Sequence, residues 1–329
     1  MGVATTPVGA APPAVLPRHV ALLRRVIPPA LRGRTAFRRF ALWSVLTNVL
    51  IVVSGGAVRL TDSGLGCPTW PRCTDASLTP THQYAIHGVI EFTNRQLTFV
   101  VAFFALATWL IAMARVEHRR LATVAALSIP AQAVLGGLTV LTHLNPWLVA
   151  AHFMLSMAIL FVTAWVWWRV RGSAPALAVP PAARILARVT AVVAVAVLVL
   201  GTVVTGAGPH AGDKDDSGKV HRIGLKVSSM AQLHADSVMV LIGVSIGLVA
   251  LCYAIRVADT VRRAAWLLLA VELAQGVIGY TQYFLHVPPV LVGLHMFGAC
   301  LLWLAALHVL ALVEPRATGE PSDASVPEE

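Results

Sequence analysis

Charge is scarce in this chain of 329 residues: Asp, Glu, Lys and Arg make up 12% of it, against 57% hydrophobic residues. An ordinary soluble domain carries about twice that charged share, so a soluble globular fold is excluded. Cysteine is scarcer still, with four in all. A structural zinc site takes four ligands, and the only closely spaced pair, Cys67 and Cys73, has His82 alone nearby. Acidic residues number 15 against 25 basic ones. The resulting +10 net charge would suit nucleic acid, but its main concentration is arginines flanking apolar segments, so no nucleic-acid partner is expected. The first 36 residues, rich in Ala, Pro and Arg, lack an apolar core and small-residue cleavage site, which argues against a signal peptide.

What the chain has instead is long apolar runs. They lie near 38–58, 83–114, 121–143, 147–168, 186–206, 229–255, 264–285 and 290–313, each near or above the roughly 20 residues that cross a bilayer as a helix. Eighteen basic residues fall before or at the first residues of span 1, between or at the adjoining ends of the even-to-odd span pairs, and after span 8, whereas six fall in the opposite loops. Basic residues in short loops stay on the cytoplasmic side, so both termini are expected there. Residues 1–36 then form a basic cytoplasmic tail, and the acidic stretch 314–329 a disordered one.

Spans 3 and 7 read AQAVLGGLTVLTHLNPWLVAAHFM and AQGVIGYTQYFLHVPPVLVGLHMF. At a constant offset of 143 residues, Gln132, Gly136, His143, Pro146, Leu148, Val149 and His152 match Gln275, Gly279, His286, Pro289, Leu291, Val292 and His295. An offset of four spans preserves orientation, as in parallel-repeat membrane proteins. The expected fold is therefore an all-α integral membrane protein of eight transmembrane helices, in two tandem four-helix bundles related by an internal repeat. The halves are 37–170 and 185–313, joined by a cytoplasmic linker 171–184. The first half carries an outer loop, 59–82, that contains both Cys67 and Cys73.

Ionisable groups in hydrocarbon are costly and mark function by default. The intramembrane set is His87, Glu91 and Arg95 in span 2, His152 in span 4, His234 and Asp236 in span 6, Glu272 in span 7, and His295 and His308 in span 8. His152, His234 and His295 each lie five or six residues into their spans, so they share one depth. Two such histidines on facing helices can supply both axial ligands of a heme, and His234 with His295 is that pair. In span 2, His87, Glu91 and Asn94 share a helical face with Arg95 beside them. A carboxylate near the level of His152 can serve proton abstraction beside a bound porphyrin, or simply pair with Arg95. His143 and His286 lie at outer span ends, suited to capping, propionate contact or plain solvation. Cys67 and Cys73 suit either a structural staple in an oxidising compartment or a redox role, and Cys252 and Cys300 read as small core residues. A b-type membrane cytochrome exchanging electrons with quinone, and a parallel-repeat transporter, share parts of this pattern.

The stretches GGAVRLTDSGLGCPTWPRC, IEFTNR, LGGLTVLTHLNPWLVAAH, AQLHAD and QGVIGYTQYFLHVPPVLVGLH together resemble the heme A synthase family, from about residue 40 to 312. The resemblance implies stepwise oxidation of the C8 methyl of heme O to a formyl group, giving heme A for cytochrome oxidase. It implies a resident heme b on His234 and His295, heme O in the N-terminal half near His152, Glu91 as catalytic residue, and the outer-loop cysteine pair at Cys67 and Cys73. His87, Asn94 and Arg95 become candidate contacts of the substrate heme, and the histidines the ligands of iron. The implied partners are heme O, heme O synthase as its source, membrane lipid and an electron acceptor of unassigned class, with the oligomeric state open. One position departs from the family pattern E-x-x-H-R: Asn94 stands where that histidine would be. Either His87, one turn earlier, substitutes for it, or the substrate iron keeps an open position.

Overall fold

A bilayer offers no hydrogen-bond partners to the backbone, so an apolar segment that spans it satisfies its own amides as a helix. The computed structural model describes residues 18–81, 85–172, 179–212, 218 and 220–315, and all regular elements among them are helical. Two short helices, α1 (Arg18–Val26) and α2 (Pro29–Arg32), precede eight long ones. These are α3 (Arg34–Leu60), α4 (Ala85–Arg115), α5 (Arg119–Leu141), α6 (Pro146–Arg171), α7 (Pro181–Ala207), α8 (Val227–Ala254), α9 (Asp259–Phe284) and α10 (Pro289–Val313). Each of the eight is long and apolar enough to cross a membrane, and the chain is a multi-pass membrane protein.

The helices overrun the apolar segments at their ends. α3 begins at Arg34 rather than 38, and α7 at Pro181 rather than 186, because arginine stems lie along the helix while their guanidinium groups reach the aqueous boundary. Proline opens α6, α7 and α10, where its missing N–H costs no helical hydrogen bond. Residues 18–26 and 29–32 of the expected basic tail are helical, and Arg24 Nε donates to the Ala114 carbonyl at the end of α4 at 2.9 Å. Residues 1–17, residues 173–178 of the linker and the acidic tail from 316 lie outside the described residues.

α3, α4, α5 and α6 pack in a ring, each on its two neighbours, and α7, α8, α9 and α10 do the same. The rings meet through α3, α6, α7 and α10. Leu160, Leu241, Leu248 and Leu268 lie fully buried in the core that extends across both. Trp303 on α10 crosses between the rings, donating its indole N–H to the Met157 carbonyl at 2.9 Å. Phe99, Val192, Val277 and Phe284 face outward, as a lipid-facing surface requires.

The turns α5–α6 and α9–α10 share one backbone conformation. His143 and Leu144 have φ of 50° and 57°, and His286 and Val287 have φ of 59° and 58°. Leu144 N–H closes on the Thr139 carbonyl at 2.8 Å, and Val287 N–H on the Gln282 carbonyl at 2.7 Å. Two consecutive left-handed non-glycine residues cost about 1–2 kcal/mol each. The capping bonds to the last turn of the helix offset part of that cost, and proline stands at or just before the start of the following helix. His143 and His286 are thus turn residues, at the same end of the molecule as the loop that carries Cys67 and Cys73.

Candidate functional site

The site lies toward the end of the molecule that carries this loop. His152, His234 and His295 stand six, seven and six residues from the starts of α6, α8 and α10. Each ring rests on a glycine of the preceding helix. A β-carbon on Gly136 would lie 3.0 Å from His152 Cε1, one on Gly201 3.3 Å from His234 Cε1, and one on Gly279 3.4 Å from His295 Cε1. The absent side chain is what lets the Cε1 edge of an imidazole come this close to its neighbour helix. The fourth member of the series is Gly55 on α3, whose β-carbon would lie 3.9 Å from Nδ2 of Asn94. Asn94 therefore occupies the place in α3–α4 that a histidine occupies in the other three helix pairs. The equivalent pair Gly136 and Gly279 is legible in the repeat; Gly55 and Gly201 are found only by contact.

Within the second ring, α8 and α10 are diagonal, and their histidines face each other across it. The ring centres of His234 and His295 are 6.4 Å apart with planes at 80°. Two imidazoles bonded from opposite sides to one metal ion at about 2 Å each, with ring centres roughly 1 Å behind the nitrogens, have centres about 6 Å apart. Both side chains are half-buried, and their Nδ1 atoms are buried without a hydrogen-bond partner. The residues present fit a porphyrin iron held between two imidazoles.

In the first ring the diagonal pair is α4 and α6, with Asn94 and His152. Gln132 braces the His152 turn by donating to the His152 carbonyl at 2.9 Å. Ser54 donates its hydroxyl to Asn94 Oδ1 at 2.7 Å. His87, two residues into α4 and exposed, shares a 2.9 Å hydrogen bond between Nδ1 and the Ser63 hydroxyl. It lies about two turns nearer the end of the molecule than Asn94, beside the connecting loop.

That loop is docked onto α4 by a set of contacts centred on Glu91. Glu91 is only 5% exposed. Its Oε2 accepts the Cys67 amide at 2.6 Å, and its Oε1 accepts Arg95 Nε at 3.1 Å. Arg95 then reaches back to three loop carbonyls: Cys67 at 2.8 Å, Thr69 at 3.0 Å and Arg72 at 3.2 Å. Cys67 and Cys73 are joined in a disulfide and both buried. Trp70, between them, packs on Gly137 of α5, and Gly66 lies against the α4 backbone at His87 and Gly88, where no β-carbon would fit. The sequence pairs Glu91 with Arg95; that both also hold the loop backbone was not legible in it. Arg59, near the end of α3, donates to the Thr205 carbonyl at 3.3 Å and to the carbonyl of His210, tying the first ring to the exit of α7. Cys252 and Cys300 are free and buried.

Eight spanning helices in two four-membered rings, with histidines at one level, define a polytopic helical membrane protein suited to porphyrin. The chain belongs to the cytochrome oxidase assembly protein family COX15-CtaA, whose model matches residues 38–307. Among curated relatives, heme A synthase of Listeria welshimeri is 35% identical over 123 residues, covering 35% of this chain and 40% of the relative. Heme A synthase of Lysinibacillus sphaericus is 33% identical over 123 residues, covering 36% and 39%. That of Exiguobacterium sibiricum is 32% identical over 123 residues, covering 36% and 41%. The matched stretch spans about two fifths of the length of these relatives.

Proposed function

We propose that the protein is a heme A synthase, an oxidoreductase that converts the C8 methyl of heme O to a formyl group in support of cytochrome oxidase assembly. The observation that carries the reading is the His234–His295 separation of 6.4 Å, in a chain whose family membership covers nearly all its spans. His234 and His295 would hold a resident heme b, which supplies one-electron transfer when bound. The half 185–313 is then the cofactor half and 37–170 the substrate half, with His152 as the axial imidazole for heme O. By the distribution of basic residues, the disulfide loop faces outward across the cell membrane and both termini are cytoplasmic.

Glu91 is assigned the chemistry at the substrate edge. Its carboxylate accepts from the Cys67 amide and the Arg95 guanidinium, so it is already oriented. A buried, preorganised carboxylate can accept the proton released as the methyl is oxidised, or stabilise positive charge developing on that carbon. The loop residues Gly66 to Arg72 dock on α4 and α5 through Glu91, Arg95 and Gly137, and in this reading they shield the substrate edge from water. Co-expression with a heme O synthase in a host lacking heme A, followed by heme extraction and chromatography, tests the assignment. Heme A appearing only when this chain is present supports it; heme O alone overturns it.

A further inference from the structure

The four glycine-backed positions give the two rings different ligand sets, and the difference falls on a single residue. Asn94 sits over Gly55 as the three histidines sit over Gly136, Gly201 and Gly279, and it lies on the helix diagonal to that of His152. Its side chain is also oriented. The Ser54 hydroxyl donates to Oδ1 at 2.7 Å, which takes one of the two lone pairs of that oxygen and turns it toward α3, while Nδ2 has only protons to offer.

We propose that the first ring holds its porphyrin iron through His152 alone, and that Asn94 stands across from it as a hydrogen-bond donor to a small exogenous axial ligand. This rests on reading residues 37–170 as the substrate porphyrin half. The resident site would be saturated by two imidazoles, and the substrate site would keep one position free. His87 does not fill the gap: it lies about two turns from Asn94, at the start of α4, and is engaged with Ser63.

The test uses the full chain with its resident heme, loaded with ferric heme O, and reads spin state and anion binding by absorption and electron paramagnetic resonance. The loaded wild type should add a high-spin component beside the low-spin resident heme, and should bind fluoride. Asn94→His should convert the added component to low spin and reduce fluoride affinity at least tenfold. Asn94→Ala decides independently of whether Asn94→His folds. If Asn94 donates a hydrogen bond to the anion, fluoride affinity falls several-fold; if its oxygen were a ligand, removing it would open the position and affinity would rise. A rise, or a low-spin loaded wild type, overturns the inference while leaving the substrate-half reading intact. Failure to load any second heme overturns that reading and the inference with it.

Discussion

The backbone amide of Cys67 donates to Oε2 of Glu91 at 2.6 Å, which fastens the disulfide loop to the middle of the proposed catalytic face. A residue nominated for chemistry is therefore also a fastening point for the cover above it. Arg95 completes the arrangement by bonding Glu91 on one side and three loop carbonyls on the other. Substitutions here report on both roles, and the readouts have to separate them.

Glu91→Gln keeps the shape and removes the charge. It should lower heme A formation at least tenfold, with heme O or a hydroxylated intermediate accumulating. The resident heme should be unaffected, since His234 and His295 lie in the other ring. Extracted-heme chromatography and the low-spin spectrum of the same preparation check both halves; wild-type heme A output would reduce Glu91 to a structural partner of Arg95.

Arg95→Lys should loosen the loop more than it weakens the helix. A lysine ammonium is a compact charge that cannot reproduce the planar fork spanning several carbonyls. Limited proteolysis of the loop should accelerate several-fold while helical content is retained. An unchanged cleavage rate would mean that the disulfide and Trp70 suffice.

Replacing Cys67 and Cys73 by serine should cost modest stability. By loop-entropy models a ring this small contributes on the order of 2–3 kcal/mol at most, and Arg95 and Trp70 still hold the loop. A melting temperature lowered by a few degrees with the resident heme retained is expected. In native membranes both thiols should resist labelling until reductant is added.

His234→Ala or His295→Ala should each abolish the low-spin signal of the resident heme, whereas His152→Ala should leave it in place. Gly201→Val gives a finer test. Its β-carbon alone would stand 3.3 Å from His234 Cε1, and the added methyl groups would displace the ring. Overpacking of this kind costs about 1–3 kcal/mol, so heme content should fall while the helices remain. Equal heme occupancy in Gly201→Val and wild type would show that the ring has another way to seat itself.

The spans were legible because a bilayer makes the requirement one-dimensional: a run of apolar residues of sufficient length must be a helix whatever surrounds it. The repeat placed His143 and His286 at corresponding span ends, and the structure adds that the two turns share one backbone conformation, because local capping depends on neighbours in the chain. The common level of His152, His234 and His295 also followed from counting along helices of known rise.

Counting along a helix says nothing of what lies across from it, so the pairing of His234 with His295 stood as an expectation until the ring packing of α7, α8, α9 and α10 put their rings 6.4 Å apart. The same limit hid the glycine beneath each ring and the seating of Asn94 over Gly55. It also hid the use of Glu91 and Arg95 to hold a loop some 20 to 30 residues earlier in the chain. Hydropathy along the chain dictated which segments cross the membrane and where ionisable residues fall within them. Which of those residues meet came from helix packing, because a helix fixes spacing along its axis while the azimuth and partner of each side chain are set by its contacts with other helices.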